Sequence, residues 1–442
     1  MSRQLHPTET PPLHRGAHLS FILAAAISMA GMWTYADRVM VFYQIRDAAA
    51  HGHPRGNLSD LYPRWLGARE LLLHGRDPYS RDVTREIQAG YYGRPIDPSR
   101  PQDPKDEQGF AYPVYVAFLL RPLVHLPFPL AQRIFFCLLI VLTAASIWLW
   151  LRFLRISISL PAKMAILGLT FGSFAVMQGM KLQQMTLLVS GLISVSLTLL
   201  VAGFPKLAGV FLALATIKPQ LIFLLVIWLA LWAVSDLRRR FPFAVSFIVT
   251  MLILVAGSEL LLPHWLPRFW HALAEYRRYT GSVSALDELM PWHIGRIFEV
   301  AAVLATAWLC WRNRQPAQDS LPFAATTCLV LAITIFIVPS YAPYNQVLLL
   351  PAFVLLAWDR RALMHSSAAR RLLWMIVLAL VVWPWISSTL LAAMSFFVPE
   401  HVVLSLWSAP GWTTLLIPIG VAALMLLYTH RMPPTAPERP PA

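Results

Sequence analysis

The sequence predicts an all-α, polytopic membrane protein, and three observations lead to that fold class. Of its 442 residues, 57% are hydrophobic and only 13% are charged, whereas soluble domains carry about 25% charged residues. The mean hydropathy is +0.57. Apolar runs of roughly 17–25 residues, the length that crosses a bilayer, recur along the chain from Leu19 onward.

The basic residues indicate how the chain is oriented. The formal net charge of +14 could suggest nucleic acid, but the arginines form short clusters at the ends of apolar runs, as the positive-inside rule requires of cytoplasmic loops. We therefore expect membrane lipids, and no nucleic acid, as partners. The clusters are Arg152/Arg155, Arg238–Arg240, Arg312/Arg314, Arg360/Arg361 and Arg370/Arg371.

The three cysteines and the N-terminal region add little chemistry. Cys137, Cys310 and Cys328 each lie inside an apolar segment, which predicts small hydrophobes and neither a disulfide framework nor a zinc site. The polar residues 1–18 precede a long apolar run without a convincing cleavage site, so we predict a retained first membrane helix.

About twelve spans are predicted within a membrane domain of residues 19–428, flanked by cytoplasmic tails at 1–18 and 429–442. An even number of spans places both termini on the same side of the membrane. With this count the arginine clusters lie on that side too, which the positive-inside rule identifies as the cytoplasm. The apolar segments are 19–41, 130–151, 162–178, 183–203, 207–217, 220–234, 241–262, 295–311, 321–338, 346–358, 372–397 and 410–428.

The first outward loop, about 44–129, holds ten of the 22 acidic residues. Apolar residues at helical spacing predict an amphipathic helix from Tyr62 to His74, ended by Gly75. A second helix is expected over 80–89, followed by proline-rich coil. Residues 110–128 are apolar but interrupted by Arg121 and several prolines, which favours an interfacial or re-entrant helix over a span.

Two later segments are also unusual. Residues 207–217 and 220–234 are short apolar halves separated by Lys218-Pro219, which fits a helical hairpin with Lys218 near the outer leaflet. The second outward loop, about 264–294, is aromatic and charged.

The acidic loop residues have both ordinary and chemical interpretations. If Pro63 is the first helical residue, Tyr62 is the cap and Asp60 is left uncommitted, although a solvated loop acid is the more common outcome. Asp77 before Pro78 is expected to bond nearby backbone amides in a turn. Asp103, Asp106 and Glu107, and the pair His51 and His53, are weak metal signals in coil, and we expect them to be solvated.

Cations at membrane depth are costly and are candidates for function. Lys218 and Arg121 qualify, and Lys181 and Arg296 lie at the outer edge, with snorkelling as the alternative. A phosphate-bearing lipid would need such groups, arginine for two-point contacts and lysine as a point charge.

Five motifs, taken together, resemble glycosyltransferase family 87, bacterial membrane enzymes of the GT-C type that use polyprenyl-phosphate sugars. They occur in the family's order and span most of the chain: Asp60-Leu-Tyr62 with Gly67-Ala-Arg69-Glu-Leu-Leu-Leu-His-Gly75-Arg-Asp77-Pro-Tyr79, Phe110-Ala-Tyr112-Pro113, Gln183-Gln184-Met-Thr186-Leu-Leu, Leu207-Ala-Gly209-Val-Phe-Leu-Ala-Leu-Ala-Thr-Ile-Lys218-Pro219, and Pro343-Tyr344-Asn345-Gln346-Val-Leu-Leu-Leu-Pro351.

The resemblance implies a GT-C-like fold and the roles of two residues. The family's first-loop aspartate, a general base, corresponds to Asp60, and its lysine at the start of the second half-helix corresponds to Lys218. Two positions depart from the family pattern: Gln183 precedes Gln184 where Gly-Gln is usual, and Asn345-Gln346 replaces the His pair of many mannosyltransferases.

The resulting hypothesis is an inverting transfer of one sugar, a hexose with mannose among the candidates, from a polyprenyl-phosphate donor to a periplasmic glycolipid, glycan or protein. The bacterial cytoplasmic membrane is the expected location, with the site facing the periplasm and no metal or cofactor besides the donor. Charge and depth suggest further donor contacts at Arg64 and Arg121, and we add Arg69, Gln184 and Asn345. Alternatives are a secondary transporter, which the lack of internal repeats disfavours, an oligosaccharide ligase, and an inactive scaffold.

Overall fold

A computed structural model describes residues 15–52, 59–97, 99–280, 283–338 and 342–432 of the chain. The predicted N-terminal tail and C-terminal tail therefore fall largely outside the described residues. Within these ranges the protein is helical and has no β-strand. The α-helices are α1 Arg15–Tyr35, α2 Val41–His51, α3 Leu61–His74, α4 Arg81–Tyr92, α5 Val116–Val124, α6 Phe128–Phe153, α7 Leu160–Phe171, α8 Phe174–Lys181, α9 Met185–Val201, α10 Pro205–Leu214, α11 Pro219–Ser235, α12 Leu237–Leu261, α13 Trp265–Thr280, α14 Ala285–Leu289, α15 Trp292–Arg312, α16 Leu321–Ile337, α17 Leu350–Trp358, α18 Arg360–Met364, α19 Ala368–Phe397, α20 Glu400–Ser405 and α21 Leu416–His430.

Four shorter helical segments complete the described secondary structure. Ala36–Met40 is a π-helical segment that joins α1 to α2, and the other three are 3₁₀ turns at Ala215–Ile217, Pro343–Leu349 and Ala409–Gly411.

Six helices of the described chain are long and apolar enough to cross a membrane: Leu19–Ala50, Phe128–Phe153, Leu237–Leu261, His293–Arg312, Ala368–Phe397 and Glu400–His430. A seventh candidate is the pair α7 and α8, bent by 57°. The remaining predicted segments fall on shorter apolar helices: α9, α10, α11, α16 and α17. The prediction of a multi-helix membrane protein is confirmed, and the count of twelve spans is not.

The first loop begins later than predicted and contains the expected helices. The first helical run continues through Ala36–Met40 to His51, beyond the predicted end at residue 41. The helix predicted over 62–74 is α3, and Gly75 ends it with a left-handed φ of 63°. The second predicted helix is α4, which Ser80 caps by accepting a hydrogen bond from the backbone N–H of Val83. Residues 110–128 contain only the nine-residue α5, too short to span.

Close packing attaches α3 to the rest of the loop and to α6. A Cβ atom on Gly67 would lie 2.3 Å from the ring of Phe110, so only glycine admits this ring against α3. The indole Nε1 of Trp65 donates to the carbonyl oxygen of Leu123, 3.0 Å away. The Trp65 ring also lies 5.2 Å from that of Phe128, at the start of α6. The first loop is thereby fixed to one end of the helical bundle.

Several apolar helices are interrupted at this same end of the bundle. The chain breaks between α8 and α9, between α10 and α11, and at the 3₁₀ turn before α17. Gly209 permits close approach of α10 to α12, since a Cβ there would lie 2.6 Å from the carbonyl oxygen of Phe243. At membrane depth an interrupted backbone is tolerated only where it is buried in protein or lines a cavity.

Candidate active site

Asp60 precedes α3, at the position whose side chain commonly caps the first turn of a helix. Its side chain makes no capping hydrogen bond and instead accepts one from Nε2 of Gln184. The backbone N–H of Asp60 donates to the carbonyl oxygen of Leu182 at 2.8 Å. The prediction that Tyr62 caps this helix was wrong, because Pro63 is its third residue and not its first. The expectation that the carboxylate is not used for capping is nevertheless confirmed.

Lys218 lies between the 3₁₀ turn that follows α10 and the first residue of α11, Pro219. Proline disfavours helical backbone at the residue before it, and Lys218 is not helical, with φ −123° and ψ 76°. Its buried ammonium donates to Oε1 of Gln184 at 3.1 Å and to Oγ1 of Thr186 at 2.6 Å. The amide of Gln184 therefore bridges the carboxylate of Asp60 and the ammonium of Lys218.

Arg64 lies one helical turn after Asp60 and is only 8% exposed. Its Nη1 donates to the carbonyl oxygen of Asp60 at 2.9 Å, and its guanidinium lies 4.7 Å from the ring centre of Tyr112. The Nε atom is buried and has no hydrogen-bond partner among the described residues. A buried donor without a partner costs free energy, so this atom is suited to an acceptor supplied by a ligand.

The two cations of this site are not neutralised by direct ion pairs. Over the part of the chain that the structure describes, neither Lys218 nor Arg64 lies within ion-pair distance of a carboxylate. A buried charge is normally paired or coordinated. The site thus combines two buried positive charges with one half-buried carboxylate, an arrangement that favours an anionic ligand.

The surroundings of Asp60 alter its proton affinity. Removal from water raises the pKa of the carboxyl group above the usual value for aspartate, Arg64 lowers it, and Asp106 raises it further. Lys218 and the hydrogen bond from Gln184 also lower it. Because burial is the largest of these effects, the carboxylate is more basic than one in open solvent.

The proline-rich coil of the first loop differs from the solvated segment that we predicted. Asp106 is half-buried and accepts hydrogen bonds from the backbone and side-chain amides of Gln108, at 3.1 and 2.7 Å. Burial raises its pKa. Asp103 is paired with Arg94, so both acids are held by partners. Among the described residues no group of three or more His, Cys, Asp or Glu side chains could hold a metal ion.

The other candidates for donor contacts divide into two groups. The Oδ1 atom of Asn345 accepts a hydrogen bond from Thr186 Oγ1 at 2.9 Å, which joins Asn345 to Lys218. Arg69 instead stacks on Trp65 at 5.3 Å, and Arg121 is exposed on α5. Neither of these arginines contacts Asp60 or Lys218, so their assignment as donor contacts stays a prediction.

The remaining charged candidates have partners of their own. The Oδ1 atom of Asp77 accepts from the backbone N–H of Tyr79 at 2.9 Å, which confirms the turn predicted there. Its Oδ2 atom accepts from Arg268 of α13 at 2.7 Å. Lys181 pairs with Asp37, and Arg296 lies 3.6 Å from Glu299. These cations differ from Lys218 in having an acid beside them.

Sequence reasoning missed the aromatic walls of the site. The ring centre of Tyr344 lies 5.0 Å from the ammonium of Lys218. Burial raises the pKa of Tyr276, a residue of α13. Arg64 lowers this pKa, and Asp106 and Asp60 raise it further. Because these three charges act on Tyr276, α13 lies next to the same site. Tyr112 and Tyr344 both stand inside the motifs quoted above, and that placement was the available signal. Tyr276 had none beyond the aromatic composition of its loop.

One comparison with known proteins identifies the family of the chain and agrees with the membrane fold. Residues 110–340, just over half of the chain, match the model of glycosyltransferase family 87. The match includes Gln184 and Lys218 and ends before Asn345, while Asp60 precedes it. No curated protein and no solved structure is significantly similar to the chain. The chain belongs to glycosyltransferase family 87 and is a membrane glycosyltransferase.

Proposed function

We propose that the chain transfers a single hexose from a polyprenyl-phosphate donor to an acceptor hydroxyl outside the cytoplasmic membrane, with Asp60 as general base. One observation carries the proposal: the Asp60 carboxylate lies beside two buried cations that have no carboxylate partner. A donor with a phosphate next to the reacting sugar would supply the missing negative charge, and the carboxylate would receive the proton.

The proposed reaction is a single displacement. The acceptor oxygen forms a bond to the anomeric carbon as its proton passes to Asp60. The bond from the anomeric carbon to the phosphate oxygen breaks, and the polyprenyl phosphate leaves with the electron pair. With one base and no second carboxylate acting as nucleophile, this displacement inverts the anomeric centre.

Lys218 and Arg64 would act on the departing phosphate. Its charge grows as the bond to the sugar breaks, and cations already fixed in a dry site stabilise that charge without further reorganisation. The unpartnered Nε of Arg64 offers a hydrogen bond in addition to charge. Lys218 has committed two of its three N–H donors to Gln184 and Thr186, so it would act chiefly as a point charge.

The proposed topology has twelve spans, cytoplasmic termini and a periplasmic site in a bacterial cytoplasmic membrane. It is supported by the separation of charges along α6 and α11. Each helix starts at the end of the bundle that holds Asp60 and Lys218, and α6 ends beside Arg152 and Arg155 while α11 ends just before Arg238–Arg240. At 1.5 Å per residue these helices are about 39 and 26 Å long. Under the positive-inside rule the arginine end is cytoplasmic.

The decisive experiment supplies purified protein in lipid with a panel of polyprenyl-phosphate hexoses and pentoses and an acceptor extract. We expect Asp60→Asn to lower turnover by about 10²–10⁴-fold, the usual contribution of general-base catalysis. Asp82→Asn, an exposed acid of the same loop, is the matched control and should retain turnover. The product of the wild-type protein should have an inverted anomeric configuration.

Three results would contradict this proposal. Undiminished turnover by Asp60→Asn would remove Asp60 as the base. Accumulation of substrate inside sealed vesicles without formation of a glycosidic bond would indicate a transporter. Transfer of an intact oligosaccharide from a lipid carrier, with no use of single-sugar donors, would indicate a ligase.

A further inference from the structure

Gln183 has a backbone conformation that side chains rarely adopt. Its φ is +53°, in the left-handed region where glycine is strongly favoured. It follows the end of α8, where its N–H donates to the carbonyl oxygen of Met180 at 3.1 Å and the next N–H donates to that of Gly179 at 2.8 Å. This is the helix ending that usually has glycine at its left-handed residue. A glutamine here is strained relative to glycine.

The side chain of Gln183 is buried and bonds to Ser59 and Gln132. Its Oε1 atom accepts hydrogen bonds from Oγ of Ser59 and from Nε2 of Gln132, the latter at 3.1 Å. Its Nε2 atom donates to the carbonyl oxygen of Gln132, also at 3.1 Å. Ser59 is 1% exposed and immediately precedes Asp60. Gln183 therefore connects the start of α6 to the residue before the proposed base.

Three consecutive residues, Leu182 to Gln184, thus form hydrogen bonds with the two residues that precede α3. Leu182 accepts from the backbone N–H of Asp60, Gln183 accepts from the side chain of Ser59, and Gln184 donates to the carboxylate of Asp60. The backbone and the carboxylate are fixed from the same short turn between α8 and α9. A glycine at residue 183 would keep the turn and lose the contact with Ser59.

We propose that Gln183 is a positioning residue that fixes the direction of the Asp60 carboxylate through Ser59 and Gln132. The inference rests on the proposed role of Asp60 as base. Positioning of a reacting group within an ångström or so has large effects on rate. Gln183 itself touches neither substrate nor the reacting atoms.

Gln183→Gly tests this role because it relieves the backbone and removes only the side chain. We expect kcat to fall about 10- to 100-fold, with the KM for the donor changed less than about threefold and the thermal midpoint maintained. Arg155→Gly is the matched control. Arg155 also has a φ of +53° at the same kind of helix ending, but it lies at the far end of α6. This control should keep both kcat and KM.

Ser59→Ala provides a second variant that leaves residue 183 unchanged, and Ser59→Thr keeps the hydroxyl. We expect Ser59→Ala to lower kcat in the same direction as Gln183→Gly and Ser59→Thr to restore most of it. Unchanged kcat in Gln183→Gly would overturn the inference, and so would parallel losses of kcat, donor binding and thermal midpoint. If Asp60→Asn keeps its turnover, the proposed function fails first, and that result is distinct from either of these.

Discussion

A buried cation lies at each end of α11, and the two cations differ in the groups that accept their hydrogen bonds. At the C-terminal end of α11, Arg240 of α12 donates hydrogen bonds to the backbone and to one hydroxyl, and its guanidinium lies 4.0 Å from the ring centre of Trp232. Its acceptors are the carbonyl oxygens of Trp232, Arg314, Gln315 and Pro316 and the hydroxyl of Ser235. At its start, Lys218 donates to two side chains and faces a tyrosine ring.

Under the proposed function, this difference separates a structural cation from one that can act on a ligand. The guanidinium of Arg240 ties the end of α11 to the loop before α16, and a phosphate could reach it only by displacing backbone carbonyls. Lys218 and Arg64 are equally buried but are joined, through Gln184 and through a backbone carbonyl, to an acid in the first loop. Burial alone therefore does not distinguish these cations, whereas the partners of each donor do.

The largest effect expected from this comparison is on turnover when Lys218 is changed. Lys218→Met should lower turnover by about 10²–10³-fold, as loss of one preorganised stabilising group does in other enzymes. The thermal midpoint should not fall, because an apolar side chain avoids the cost of burying a charge. Donor turnover and thermal unfolding of the protein in lipid discs measure the two effects. Lys218→Arg is the control that keeps the charge. Full activity of Lys218→Met would show that Lys218 does not act on the donor phosphate.

Arg240→Met should give the reverse pattern. Its removal deletes hydrogen bonds to four carbonyl oxygens and to the hydroxyl of Ser235, each of which contributes about 0.5–1.5 kcal/mol, and should lower the thermal midpoint. Turnover per folded molecule should stay within about twofold, since no substrate contact is lost. Arg239→Met, which removes a half-exposed neighbour, is the control. A large loss of turnover at an unchanged midpoint would show that this end of α11 also takes part in the chemistry.

These two cations also show how far sequence alone could lead. Apolar runs and the positive-inside rule indicated a membrane protein and the segments that form its helices, because both patterns are local. They could not decide how many of the short helices cross the membrane, since bends such as that between α7 and α8 depend on packing. Nothing in the arginine cluster at 238–240 distinguished the buried Arg240 from its half-exposed neighbour.

For the candidate site, the sequence indicated the charged residues but not the groups that connect them. Asp60 and Lys218 were found by resemblance and by the rarity of ions at membrane depth. In the bridge through Gln184, the hydrogen bond from Gln184 to Asp60 joins positions 124 residues apart. It exists only because two helix breaks and the first loop meet at one end of the bundle. Asp106 was expected to be solvated, because a proline-rich composition gave no sign that Gln108 and the surrounding tyrosines would enclose it.

A titration of activity tests whether the first-loop acid and the cations form one electrostatic unit. Asp60 must be deprotonated to act as a base, so turnover should fall as the pH drops through its pKa. Because burial raises that pKa, the acidic limb should lie above the value of about 4 for a solvated aspartate. The measurement is kcat/KM against pH with a saturating acceptor.

Two substitutions should move this limb in opposite directions. Arg64→Met removes a charge that lowers the pKa of Asp60 and should shift the limb to higher pH. Asp106→Asn removes a charge that raises it and should shift the limb to lower pH. The control, Asp82→Asn, should leave the limb in place. Shifts of the same sign in both variants would contradict the assignment of the limb to Asp60.

The smallest effect is expected where a cation and an acid already satisfy each other near the surface. Arg268 of α13 pairs with Asp77 at 2.7 Å, and their side chains are 40% and 27% exposed. Such pairs contribute about 0–1 kcal/mol. Asp77→Asn retains an oxygen that can accept from Tyr79, so the thermal midpoint should fall only slightly, less so in high salt, and turnover should stay within about threefold. If this substitution instead reduced turnover as strongly as Lys218→Met, then having a charged partner would not separate structural cations from functional ones. The proximity of α13 to the site, through Tyr276, would then become the better explanation.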